Sequence, residues 1–292
     1  MITDVEAATP ALCRLQLGSE LRQLRAATGL TSRQVVRKLL WSPSKLTRLE
    51  TGENASVEPS DIMALCQIYE AGEEISELLK GYAAVTKTKR DWWQSPEYRP
   101  VIRPGFKAFL GLEATAAALH NYESEYVPGL LQTAEYVRVI HRRAHQGMSD
   151  GDIDRMVAVR MNRQDVLHRT SPLKLTAIIS EAVLMRQVGG PKVMRSQLAH
   201  IAELAEAPNV RVQVVPFKAG HHTGMNGAFM LLKFRDQVGL RPIVYFENLI
   251  DSWVTRRQAD VERFEDGVAD LQALAPGPQE SLSMIMKAMK EL

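Results

Sequence analysis

The sequence predicts an α+β protein: an N-terminal all-α domain of five helices, then a C-terminal mixed α/β domain with a small sheet. Three observations carry this. Through residue 80, apolar residues recur at helical spacing between capping residues and glycines. Alternating apolar segments of strand length appear only from residue 173 onward. Between these regions, residues 82–110 turn basic, then rich in tryptophan and proline. The expected division is 1–81, a linker or arm over 82–110, and 111–292.

Each N-terminal helix has its own signals. Leu17, Leu21 and Leu24 follow i, i+4, i+7 spacing and stop at Gly29. Thr31 is an N-cap, and Val35, Val36 and Leu39 give a short second helix. Ser42 caps a third helix, with Pro43 at its first position, where a missing N–H costs nothing. Leu46 and Leu49 mark its buried side, and it stops near Gly52. Pro59 and Ser60 open a fourth helix, buried through Ile62, Leu65, Cys66 and Tyr69; a fifth runs through Ile75, Leu78 and Leu79.

Beyond the linker, whose paired Trp92 and Trp93 beside prolines suit an interdomain seam, helices are expected over 112–121, 132–143 and 152–168. The last has a basic face of Arg155, Arg160 and Arg163. LKLTAIIS (173–180) and NVRVQVVPF (209–217) read as strands flanking an amphipathic helix, and GAFMLLKF and RPIVYFEN complete the sheet. Helices over 261–274 and 280–292 finish the chain.

Bulk composition narrows the function classes. At 292 residues, 45% hydrophobic and 24% charged, the chain suits a globular protein of two domains. No apolar run reaches membrane-spanning length. The first fifteen residues carry acids rather than a basic leader, so no secretory signal is expected and the cytoplasm is the expected location. Two cysteines, Cys13 and Cys66, exclude a disulfide framework and a cysteine-built zinc site. The net charge of +2 hides a segregation. Arg14, Arg22, Arg25, Arg33, Arg37, Lys38, Lys45 and Arg48 face only Glu20, whereas residues 50–77 hold acids and no base. The basic end is a candidate phosphate-facing surface.

Two short helices joined at Leu40-Trp41 have the dimensions of a helix-turn-helix, whose second member enters the major groove by its N-terminal end. With Leu46 and Leu49 inward, Ser44, Lys45, Thr47 and Arg48 point outward. Arg48 or Lys45 suits guanine O6 and N7, Ser44 suits several bases, and Ser42 with the helix-start N–H groups suits phosphate.

The stretch LRQLRAATGLTSRQVVRKLLWSPSKLTRLETG resembles the five-helix DNA-binding domain of phage repressors and xenobiotic-response-element regulators, over residues 17–80. The resemblance implies that Arg25 pairs with Glu50 as a structural brace rather than a DNA ligand. It also implies that Ser32, where relatives often carry Gln, touches phosphate. Val36 and Leu40 depart from the family's small alanine and turn glycine, and Trp41 fills the apolar slot after the turn. Arg33 and Lys38 complete the expected DNA-facing set of Ser32, Arg33, Lys38, Ser42, Ser44, Lys45, Thr47 and Arg48.

The second domain shows no nucleophile–base constellation, so no enzyme, metal or cofactor is expected. RQVGGPKVM lacks phosphate-loop spacing, and His221-His222 in a glycine-rich loop lack a nearby carboxylate in sequence. Glu181, Arg186, His221 and Glu247 are the candidates for an effector pocket. An ordered metal or nucleotide near Glu181 and His221 would instead favour an enzyme. FLGLEATAAALHNYESEYVPGLLQTAEYVRVI, the segment from Glu181 to Phe229, and YFENL resemble the C-terminal domain of a large actinomycete regulator group, also described as antitoxin-like, over roughly 105–285. That resemblance implies a partner or effector role, often with a short protein encoded alongside. The expected protein is a homodimeric transcriptional regulator on an inverted repeat of double-stranded DNA. The alternative is an antitoxin-like protein-binding module that autoregulates its operon.

Overall fold

Thr9 accepts from the Leu12 amide and Pro10 follows it, so helix α1 (Pro10–Ala27) begins before its leucine stripe. The computed structural model describes residues 9–54, 56–235, 240–248 and 252–292; the start of the expected leaderless N-terminus lies outside them. Four helices follow: α2 (Ser32–Leu39), α3 (Pro43–Thr51), α4 (Pro59–Ile68) and α5 (Glu73–Thr88). The first unit takes the chain up to Ser95; the second holds Pro96–Lys233 and Pro242–Leu292.

In the first unit, one face of every helix meets in a core of Leu17, Leu21, Val35, Leu46, Leu49, Ile62, Leu65 and Leu79. The apolar spacing in the sequence marks these positions. Helix α5 runs further than expected, through residues 82–88. Tyr82, Ala83 and Val85 carry its buried stripe onward, and Thr86 Oγ accepts from the Val57 amide at 2.9 Å. A segment that buries this much apolar surface stays helical rather than becoming linker.

Two local devices shape α2 and the turn that leads into α3. Thr31 and Gln34 form a reciprocal capping box at the start of α2. At its end Leu40 adopts φ 55°, ψ 37°, the left-handed conformation that a turn glycine would take, with its side chain 92% exposed. The leucine thus keeps the turn geometry and bears the steric cost.

The second unit comprises α6 (Pro104–Thr115), β1 (Ala118–Glu123), α7 (Ala134–Ala144), α8 (Asp150–Arg163), β2 (Lys174–Ser180), α9 (Glu181–Met185), α10 (Pro191–Leu204), β3 (Val210–Val215), β4 (Phe229–Lys233), β5 (Ile243–Glu247), β6 (Ser252–Thr255), α11 (Gln258–Leu274) and α12 (Pro278–Glu291). The described strands make one sheet in the order β3-β2-β1-β4-β5-β6. β1, β2 and β3 run parallel; β4 is antiparallel to β1, and β5 and β6 continue antiparallel.

One sequence expectation fails here. Residues 112–121 are not one helix: α6 stops at Thr115 and β1 begins at Ala118. The alanine-rich run favours helix locally, but β1 pairs with β2 on one side and β4 on the other, and that ladder outweighs propensity. The basic face of 152–168 is partly buried. Arg163 is buried, its Nε 2.8 Å from Glu113 Oε2 and its Nη2 2.7 Å from Oε1. A buried charge of this kind persists only when paired in such bidentate geometry.

Because only the absent Cβ of glycine removes the left-handed penalty, Leu40→Gly is expected to stabilise the first unit by about 1 kcal/mol. The midpoint of urea unfolding checks this; an unchanged or lower midpoint contradicts it.

Candidate functional site

Helix α3 is seated by α1. A Cβ on Gly18 would lie 2.5 Å from the Glu50 carbonyl oxygen, so the two backbones touch where any side chain would hold them apart. Arg25 grips the Glu50 carboxylate with two bonds, Nε–Oε1 at 2.7 Å and Nη2–Oε2 at 3.0 Å, and Arg22 donates to the Glu50 carbonyl. The Arg25–Glu50 brace implied by the resemblance is therefore present, and Arg22 reinforces it.

The opposite end and outer flank of α3 are open. Ser42 caps it, accepting from the Lys45 amide at 3.3 Å, and its hydroxyl stands 3.1 Å from that of Ser44. Leu46 and Leu49 are buried, whereas Ser44, Thr47 and Arg48 are exposed. Thr47 donates to the Pro43 carbonyl at 3.0 Å, which occupies its hydrogen. Lys45 departs from expectation. Its ammonium lies 2.7 Å from Asp61 and 4.0 Å from the Trp41 ring centroid, which ties α3 to α4 and the turn.

The basic run divides in the same way. Arg14 is buried against Asp91 at 2.8 Å, so it is no part of a phosphate-facing surface. Arg22, Arg25 and Lys45 hold internal partners. Arg33, Arg37, Lys38 and Arg48 are exposed, and their side chains make no hydrogen bond or ion pair among the described residues. Ser32 is exposed at the first position of α2. Arg37 was missing from the sequence-derived set, although the charge run contains it; it lies one turn from Arg33 on the same face of α2.

The second unit contains a cavity of about 560 Å³. Of the four effector-pocket candidates, Glu247 lines it and the other three do not. Glu181, at the first position of α9, accepts from the Phe217 amide at 2.7 Å. Arg186 pairs with Glu125 on the surface, and His221 is exposed. The cavity gathers residues that the sequence reading left apart: Glu123 at the end of β1, His141 on α7 and Arg160 on α8. Burial pushes the Glu123 carboxyl up to about 7, against the hydrogen bond from Asn121. Burial, then the neighbouring charges of Arg160 and His145, holds His141 down at about 4. Burial and the adjacent Arg163 guanidinium lower Arg160 to about 10. At neutral pH His141 is thus uncharged and Arg160 is a cation.

No group of three or more His, Cys, Asp or Glu among the described residues could hold a metal, and no described helix is long and apolar enough to cross a membrane.

A capped two-turn helix, braced from behind and open on its outer flank, defines a DNA-binding regulator of the helix-turn-helix class. A family model for a helix-turn-helix domain matches residues 16–79, and one for a domain of unknown function (DUF5753) matches residues 106–287. The second match spans more than half the chain, and the protein belongs to the DUF5753 family; its helix-turn-helix head is consistent with a regulator of the xenobiotic-response-element type. No curated protein and no solved structure matches the chain.

Glu50→Ala strands Arg25 in a half-buried site and is expected to cost on the order of 3 kcal/mol. Glu50→Gln, which keeps hydrogen-bond acceptors, should cost less. Urea unfolding of both variants checks the order; equal stability of Glu50→Ala and the parent would remove the brace.

Proposed function

We propose that the protein binds an inverted repeat of double-stranded DNA as a homodimer, with half-sites about one helical turn apart. In this reading α3 enters the major groove. Arg48 reads a guanine through O6 and N7, and Ser44 contacts a neighbouring base edge. Arg33, Arg37 and Lys38 of α2, with Ser32, Ser42 and the first amides of α3, meet phosphate and fix the register. Thr47 and Lys45 are secondary, since both already have partners within the head. The observation that carries the reading is Arg48: an exposed guanidinium on the outer flank of α3, with no partner among the described residues, beside two buried leucines that fix its direction.

A single head buries too little surface for high specificity, which favours a dimer. The C-terminal domain, in this reading, dimerises and senses a ligand or a protein, and the protein acts by binding in the cytoplasm rather than by catalysis. A protein partner, as in the antitoxin-like alternative, is favoured by β6. It stands at the sheet edge with no described strand beyond it, and Trp253 is 49% exposed while stacked on Phe246. A small protein encoded alongside, or the second copy, would cover such an edge.

Arg48→Ala is expected to weaken operator binding by about 1–3 kcal/mol and to relax preference at one position. Lys38→Ala should weaken all sequences alike and reduce the salt slope by about 1. Selection from a random DNA pool, followed by titrations at several salt concentrations, separates the two. An Arg48→Ala variant with unchanged base preference would refute the assigned contact.

A further inference from the structure

The cavity of the second unit has apolar walls, among them Ile102, Phe106, Val127 and Phe229, and its volume of about 560 Å³ suits a small organic ligand. Its charged groups are arranged unusually. The Arg160 guanidinium packs over Gly129, so closely that a Cβ there would lie 2.6 Å from Nη1. Beside it, Arg163 is already neutralised by Glu113. Arg160 itself makes no hydrogen bond or ion pair among the described residues, although it offers five donors in a planar fork.

Two acids face the same space without an ion pair among the described residues. Glu123 accepts a 3.3 Å bond from Asn121, and Glu247 a 3.4 Å bond from the Tyr245 hydroxyl. Glu125, a third acid of the lining, is paired with Arg186. Arg160 and these two acids thus share the cavity without closing on each other, while the other cation of the lining, Arg103, is exposed. A purely anionic ligand would satisfy Arg160 and leave Glu123 and Glu247 without a cation; a purely cationic one would meet Arg160. A ligand of both signs fits all three.

We propose that this cavity binds a small zwitterion of the amino-acid class with an apolar side chain. Its carboxylate lies in the fork of Arg160, its ammonium faces Glu123 and Glu247, and its side chain rests on the apolar wall. His141, stacked on His145 with ring centroids 5.8 Å apart, closes the wall beside Arg160 as an uncharged ring. Burial holds the Glu123 carboxyl up at about 7, and a bound ammonium would lower it by stabilising the ionised form.

This inference deepens the sensing role proposed above and rests on it only for the effect of the bound ligand on DNA binding. Occupancy is therefore measured without DNA, so a failed site and a failed sensing role give different results. The test is calorimetric titration of the full chain with phenylalanine, with phenethylamine, which lacks the carboxylate, and with hydrocinnamate, which lacks the ammonium. Phenylalanine should bind saturably, and each single-charge analogue should bind at least about tenfold more weakly. Arg160→Met should abolish the advantage over phenethylamine, and Glu123→Gln should reduce that over hydrocinnamate. Circular dichroism verifies that each variant folds; if one does not, the comparison on the parent protein decides. No saturable binding of phenylalanine, or equal binding of the three molecules, overturns the proposal. So does a folded Arg160→Met that still prefers phenylalanine to phenethylamine.

Discussion

The seating of α3 on α1 is the constraint on which the DNA-binding head depends. Gly18 lets the backbones touch at Glu50, and Arg22 and Arg25 close on the same residue, one on its carbonyl and one on its carboxylate. These contacts fasten the C-terminal end of a helix that is only nine residues long. A helix this short has little stability of its own and is held by what it packs against. Lys45 adds a second fastening toward α4, between Asp61 and Trp41. What remains free is the outer flank, presented by a rod that cannot tilt without breaking charged contacts.

The second unit solves a similar problem with a sheet. β1 sits inside it, paired on both sides, and its last residue brings Glu123 to the cavity. The buried Arg163–Glu113 pair ties α8 to α6, and Phe106 and Phe109 lie within 5.1 and 5.4 Å of the guanidinium. Arg160, one turn before Arg163, therefore projects from a helix whose rotation is fixed. Its position in the cavity is a consequence of that buried pair.

Much of the head was legible in the sequence because its determinants are local. Caps at Thr31 and Ser42, the stops at Gly29 and Gly52, and leucines at helical spacing each act within a few residues. Even the long-range Arg25–Glu50 pair was accessible, through a resemblance that placed both partners. The engagement of Lys45 and the burial of Arg14 were not legible, since Asp61 and Asp91 lie 16 and 77 positions away in the chain. In the second unit β1 was hidden for a related reason. AAALHNYE is a plausible helix until strands from residues 174 and 229 arrive beside it. The cavity inherits that difficulty: Glu123, His141 and Arg160 belong to three elements and share no spacing. Of the four effector-pocket candidates, Glu247 alone lines the cavity, because a strand end does mark a rim.

The internal commitments of the basic residues bear on how this protein searches a genome. Arginines and lysines that are spent on holding the head together are withdrawn from the diffuse attraction that any duplex exerts on a positive surface. Such a head lingers briefly on arbitrary sequence, where counterion release supplies nearly all of the affinity. Its residence at a true site must then come from matched base edges. Economy of loose charge becomes a form of selectivity against the background, achieved inside the fold before any base is read.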